Sequence, residues 1–147
     1  MRIVLLSLLL ATLSRAEEGL GTWKMNPARS TFIGDPHPKA MTLRIEQHAK
    51  GEVFTFDRIR ADGQALTVSM ILYLDGKERD FQGDACFGSQ SSRRLNARTI
   101  EIVLKCRGWM AQFIRRATSS PNDLILDITR QQKDGRRFEQ HLILEKQ

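Results

Sequence analysis

The chain has 147 residues, with 23 lysines and arginines against 17 aspartates and glutamates, a formal charge of +6. That length fits one domain with a core of its own. The basic residues cluster most at Arg93-Arg94, Arg115-Arg116 and Arg136-Arg137, without the long basic runs and interleaved aromatics of a nucleic-acid surface. Weak attraction to anionic surfaces or ligands is the most this charge supports.

The first stretch, MRIVLLSLLLATLSRA, reads as a secretory signal peptide. Arg2 supplies the positive start, residues 3–13 the apolar run, and Ser14-Arg15-Ala16 the small residues of a cleavage site after Ala16. The run is too short to span a bilayer, which takes about 20 apolar residues. The mature chain would be residues 17–147, one domain, secreted or periplasmic. With Arg2 and Arg15 gone from the 23 basic residues, 21 remain against 17 acidic, a formal +4.

After this leader the chain reads as short strands punctuated by turns. TWKM around Trp23 is a first short strand, left through turn chemistry at Asn26-Pro27 and Ser30, and DPHPK (35–39) is a loop. Segments 41–48, 52–60, 66–74, 98–106, 109–118, 124–131 and 137–145 alternate apolar with polar residues, and 79–87 is a shorter candidate. The breaks carry Lys50-Gly51, Asp62-Gly63, Asp75-Gly76, Ser119-Ser120-Pro121-Asn122 and Asp134-Gly135. Ser89, Ser91 and Ser92 read as turn formers in a loop. No segment holds a helical period for three turns.

Two hairpins fix their own register. A three-residue loop ending in Gly135 pairs Ile128 with Gln140, Leu126 with Leu142 and Leu124 with Leu144, all apolar groups on one face. The same loop ending in Gly63 pairs Phe56 with Val68 and Phe54 with Met70. Cys86 and Cys106 are equidistant from Asn96 in the turn RRLNART, so an antiparallel hairpin centred there sets them face to face. In a secreted chain this predicts a structural disulfide.

Eight to ten strands joined mostly by hairpins predict an all-β, antiparallel up-and-down barrel, with a β-sandwich as the alternative. The expected inner face holds Phe54, Phe56, Leu66, Val68, Met70, Leu72, Ile100, Ile102, Leu104, Trp109, Phe113, Leu124, Leu126, Ile128, Phe138, Leu142 and Leu144. It would be a solid core or the wall of a small cavity.

Gly21-Thr22-Trp23-Lys24 followed by this meander resembles the lipocalin-like (calycin) barrels, in which a G-x-W motif begins the first strand. The longer run W-K-M-N-x-x-x-S-x-F is similar to small secreted lipocalin-like proteins of soil bacteria. The resemblance implies that Trp23 closes the narrow end of the barrel, with Gly21 allowing close approach. The T-D-Y motif of lipocalins is missing. The late arginine that covers the tryptophan in that family has only Arg130, Arg136 and Arg137 as loose candidates.

Little in the chain speaks for catalysis. His37 lies between prolines, and His48 and His141 have solvent-face parity; no HxH or HExxH spacing suggests a metal. Asp57, Glu101 and Asp127 point outward by alternation, and no G-x-S-x-G nucleophile motif occurs. Arg58, Arg115 and Arg130 share parity with apolar runs, as strand-end residues with their heads in water or as partners for an anionic ligand. The reading is a non-enzymatic binding protein, without cofactor, for a small apolar or amphipathic ligand. Arg58, Arg115, Arg130, Phe56, Met70 and Phe113 are its candidate contacts, and an anionic ligand would be the version that uses the arginines. The alternative is a protein-interaction or inhibitor module whose loops, DPHPK and RRLNART, do the work.

Overall fold

The computed structural model describes residues 19–34, 37–83 and 86–147. The expected leader, 1–16, lies outside the described residues, as do Asp35 and Pro36 of the DPHPK loop. Eleven strands run in chain order: β1 (Gly21–Met25), β2 (Thr31–Ile33), β3 (Ala40–His48), β4 (Gly51–Ile59), β5 (Ala65–Leu72), β6 (Arg79–Gly83), β7 (Cys86–Asn96), β8 (Thr99–Cys106), β9 (Met110–Thr118), β10 (Asp123–Gln132) and β11 (Arg137–Lys146). A 3-10 turn, Pro27–Arg29, separates β1 from β2 and is capped by the Asn26 side chain.

The strands form one sheet in the order β5-β4-β3-β1-β11-β10-β9-β8-β7-β6, every pair antiparallel, with β2 continuing beside β1 along β11. β1 pairs with both β3 and β11, which joins the start and finish of the meander and curls the sheet into a nearly closed barrel. The sandwich alternative is set aside. The remaining seam lies between β5 and β6. Among the described residues it is tied at one end, where Asp75 bridges Arg93 of β7, and the Leu74 and Gly76 N–H groups donate to the Ser92 hydroxyl and carbonyl at 3.0 and 2.8 Å. Leu74 takes a positive φ of 60° to make this crossing, a conformation that a branched side chain adopts only when its surroundings hold it.

Both predicted hairpin registers are present. Leu124 faces Leu144, Leu126 faces Leu142 and Ile128 faces Gln140, while Phe56 faces Val68 and Phe54 faces Met70. Gly63 and Gly135 occupy the left-handed positions (φ 90° and 88°) that the three-residue loops require. One half of the barrel is filled by Trp23, Leu43, Ile45, Phe54, Leu72, Ile100, Ile102, Leu124, Leu126, Leu142 and Leu144.

Five expectations need correction. Arg79–Gly83 is a strand of its own, β6, paired with a β7 that begins at Cys86, rather than part of one strand through Phe87. Ser89, Ser91 and Ser92 lie inside β7 instead of a loop. Ser92 is buried there because its hydroxyl is consumed by the Leu74 N–H. The β7–β8 hairpin pairs Gly88 with Cys106, with an irregularity between Arg94 and Asn96 that moves its centre by one residue. Cys86 therefore reaches Cys106 diagonally rather than face to face. The disulfide forms nonetheless, with a Cα–Cα distance of 4.9 Å. Gly88 makes room for this approach: a Cβ there would lie 1.7 Å from the Lys105 carbonyl oxygen.

The fourth correction is the parity of β9. Ile114 stands opposite Ile102 and Ile128, both inward, so Gln112, Ile114 and Arg116 face the interior. Phe113 and Arg115 are exposed on the outer wall, where Arg115 lies 3.8 Å from Glu101. Finally Trp109, expected on the inner face, sits in the β8–β9 turn and is partly exposed.

Candidate functional site

The two ends of the barrel differ. The turns β3–β4, β7–β8 and β9–β10 lie at one end together with Gly19 and the C-terminus, and that end is closed. Trp23 is fully buried, its indole N–H donates to the Gly19 carbonyl at 2.8 Å, and the Lys146 ammonium lies 4.8 Å from its ring centre. That ammonium also donates to the Leu20 carbonyl. Lys146 thus occupies the place for which Arg130, Arg136 and Arg137 were candidates; Arg136 and Arg137 are exposed at the opposite end, paired with Asp134 and Glu139. Gly21 adopts φ 123°, which a side chain would strain.

Beneath Trp23 lies a group of residues that alternation alone did not single out. Glu52 of β4 reaches across the interior to Arg116 of β9, with Nη1–Oε2 and Nη2–Oε1 distances of 2.7 and 3.2 Å. Arg94 of β7 donates to the same carboxylate at 3.2 Å and to the Ala97 carbonyl at 3.3 Å. The signal was available, since Glu52 shares parity with Phe54 and Phe56, and Arg116 with Ile114. Two charges of opposite sign on inward parity of distant strands are each other's natural partners.

The other end opens into a cavity of about 500 Å³. Its floor is Met41, Met70, Ile114 and Ile128, and its wall is Phe56, Leu66, Val68, Phe81, Leu104 and Phe138. Leu66 and Val68 of β5 and Phe81 of β6 place the unpaired seam in that wall. Polar groups enter near the mouth: Arg58 of β4, Arg130 and Gln132 of β10, Gln112 of β9 and Gln140 of β11. Arg130 Nε donates to Gln112 Oε1 at 3.1 Å, which orients the guanidinium along the inner wall. Cys86, Trp109 and the Arg60–Asp62 turn form part of the rim. At the β10–β11 turn the Arg136 backbone N–H and then its guanidinium hold the Asp134 carboxyl below the usual carboxylate range.

Of the candidate ligand contacts, Phe56, Met70, Arg58 and Arg130 therefore line one cavity, and Arg115 and Phe113 lie outside it. The three histidines are elsewhere: His37 stacks on Phe32 at 4.3 Å, His48 contacts the Lys50 N–H, and His141 pairs with Asp127 on the outer wall. Among the described residues no three potential metal ligands come together. Apolar walls with guanidinium and amide groups near the mouth are suited to holding an amphipathic molecule with its polar end outward.

No protein-family model matches this sequence, and no curated protein is similar to it. Among solved structures, the chain is similar to a Schistosoma mansoni fatty acid binding protein in complex with arachidonic acid. The TM-score is 0.58 at 10% sequence identity, covering 87% of this chain and 95% of that one. That likeness shows a calycin-type barrel fold.

Proposed function

We propose that this protein is a secreted or periplasmic, non-enzymatic carrier of a small apolar or amphipathic ligand with an anionic head group. The observation that carries this reading is the cavity of about 500 Å³ in a barrel whose other half is packed solid. The volume falls inside the range of small-molecule sites. A barrel serving only to display loops would gain from filling it, because an empty lining forfeits dispersion contacts. The apolar wall selects the body of the ligand. Arg58 and Arg130 favour a carboxylate, phosphate or sulfate as its head, with Gln112 already holding Arg130 in place.

Arachidonic acid, held by the structurally similar parasite protein, is a ligand of this class. The Cys86–Cys106 disulfide fits the oxidising compartment that the leader implies. The W-K-M-N-x-x-x-S-x-F run keeps small secreted bacterial barrels as the sequence resemblance. Native mass spectrometry of protein purified from its source tests the reading directly, by revealing retained ligand. Anilinonaphthalene sulfonate provides a second test. Its fluorescence should rise on binding to the wild-type protein and fail to rise with Val68→Trp, which fills the cavity, at an unchanged urea midpoint. Equal enhancement by both proteins would refute a cavity site.

A further inference from the structure

Six large apolar side chains are exposed among the described residues, and four of them, Ile33, Ile59, Phe87 and Trp109, lie at the cavity end of the barrel. Ile59 is 42% exposed, Phe87 61% and Trp109 42%. The backbone carbonyl of each of these three accepts from the backbone N–H of a basic residue: Ile59 from Lys39 at 2.8 Å, Phe87 from Arg107 at 2.7 Å, and Trp109 from Lys133 at 2.8 Å. Lys39, Arg107 and Lys133 are themselves exposed and make no ion pair with a carboxylate among the described residues. Elsewhere on the barrel arginines are matched, as Arg29 is by Asp123 and Glu145, Arg79 by Asp75 and Arg93 by Glu101. The exposed lysines Lys24, Lys50 and Lys77, unpaired like those of the rim among the described residues, do not share such a backbone bond with an exposed large apolar residue. The rim thus repeats one unit three times, an exposed apolar group beside an unneutralised cation.

We propose that this rim docks on an anionic lipid surface, with Ile59, Phe87 and Trp109 entering the headgroup boundary and Lys39, Arg107 and Lys133 meeting lipid phosphates. The chemistry is that of interfacial binding, in which apolar side chains enter the boundary and long cations extend to the charged plane. A folded protein partner would need matching pockets for three apolar groups spread around a ring. A fluid surface needs only the ring. The inference is independent of what the cavity holds, because it concerns the outside of the mouth.

The two tryptophans make the orientation measurable, since Trp23 is buried at the closed end and Trp109 is exposed at the rim. The chain starting at Glu17, which contains every described residue, is mixed with phosphatidylcholine vesicles with and without phosphatidylglycerol. Sedimentation with the anionic vesicles alone, weakening as salt is raised, is expected. Acyl-chain bromine should quench part of the emission, and Trp109→Phe should abolish that quenching while leaving Trp23 fluorescence intact. Each cation near such a surface contributes about fivefold, so replacing Lys39, Arg107 and Lys133 with Gln should lower partitioning by about a hundredfold. The reversed-site control, Lys50→Gln in the β3–β4 turn at the other end, should leave it unchanged. Absence of sedimentation at low salt, or binding without Trp109 quenching, would overturn the proposal. Equal capture of the triple variant would overturn it too. Retention on immobilised polyglutamate without vesicle binding would assign the rim to an acidic protein instead.

Discussion

Replacement of Glu52 by Gln keeps the shape of the side chain and removes its charge. In the native barrel the carboxylate accepts three guanidinium hydrogen bonds at 2.7, 3.2 and 3.2 Å, two from Arg116 and one from Arg94. Side-chain exposure is 0% for Glu52 and 2% for Arg116, so the variant leaves the Arg116 charge buried and uncompensated. Breaking a buried pair in this way costs about 3–5 kcal/mol, a large part of the roughly 5–15 kcal/mol that holds a domain of this size folded. Arg94 is partly exposed, and Arg94→Ala should cost only about 1 kcal/mol. The double variant Glu52→Leu/Arg116→Met removes both charges and should recover most of the loss. The single variants Glu52→Leu and Arg116→Met complete a cycle with the wild type and the double variant. Urea midpoints followed by Trp23 emission, with m-values held constant, measure its four corners. A cost below about 1 kcal/mol for Glu52→Gln, or additive single effects in the double variant, would show that the pair does not secure the closed end.

Loss of the disulfide in Cys86→Ser/Cys106→Ser should cost about 3 kcal/mol for a loop of this length, read as a lower urea midpoint under oxidising conditions. Gly88→Ala should destabilise the β7–β8 pairing by about 1–3 kcal/mol, since its Cβ would meet the Lys105 carbonyl; differential scanning calorimetry reads this as a lower melting temperature. Asp123 and Glu145 have lowered pKa values, Asp123 chiefly from its hydrogen bond to Arg29, and Glu145 from Asn26 and then Arg29. The stability they contribute is therefore present above the ordinary carboxylate range and is lost as pH falls through the lowered values. Arg29→Ala should lower the midpoint at neutral pH and flatten its decline on acidification. If the cavity binds an anionic amphiphile, Arg58→Gln and Arg130→Gln should each weaken capture by about tenfold, without equal loss for an uncharged analogue, by competitive dye displacement.

The register of two hairpins was legible because turn chemistry and side-chain alternation agreed. Gly63 and Gly135 set the loop type, and only one register then placed Phe54, Phe56, Leu124 and Leu126 on the same face as their partners. Strand β9 offered no such agreement. WMAQFIRRAT carries an apolar residue and an arginine at both parities, and the choice between Phe113 with Arg115 and Ile114 with Arg116 is made by Ile102 and Ile128 on neighbouring strands. Strand β7 was hidden by composition, because its inner residues Gln90 and Ser92 are polar. Parity marks Glu52 and Arg116 each as inward, but their contact joins residues far apart in sequence on well-separated strands, so only the closed barrel pairs them. Of the cavity lining, Phe56, Met70, Arg58 and Arg130 were placed on the inner face by parity. The division of the interior into a packed half and an empty half depends on how side chains from ten strands meet, which no single strand records.

The seam between β5 and β6 gives the cavity a compliance that a fully laced barrel lacks. Leu66, Val68 and Phe81 can separate without breaking any strand-to-strand hydrogen bond, while the crossing at Leu74 and Ser92 keeps the far end fastened. Widening the pocket there would cost side-chain contact but no ladder hydrogen bond between β5 and β6, with residues 73–76 as the fastened hinge side. A fully laced ring fixes the girth of what it encloses; a ring unlaced on one side would let that girth vary at small cost.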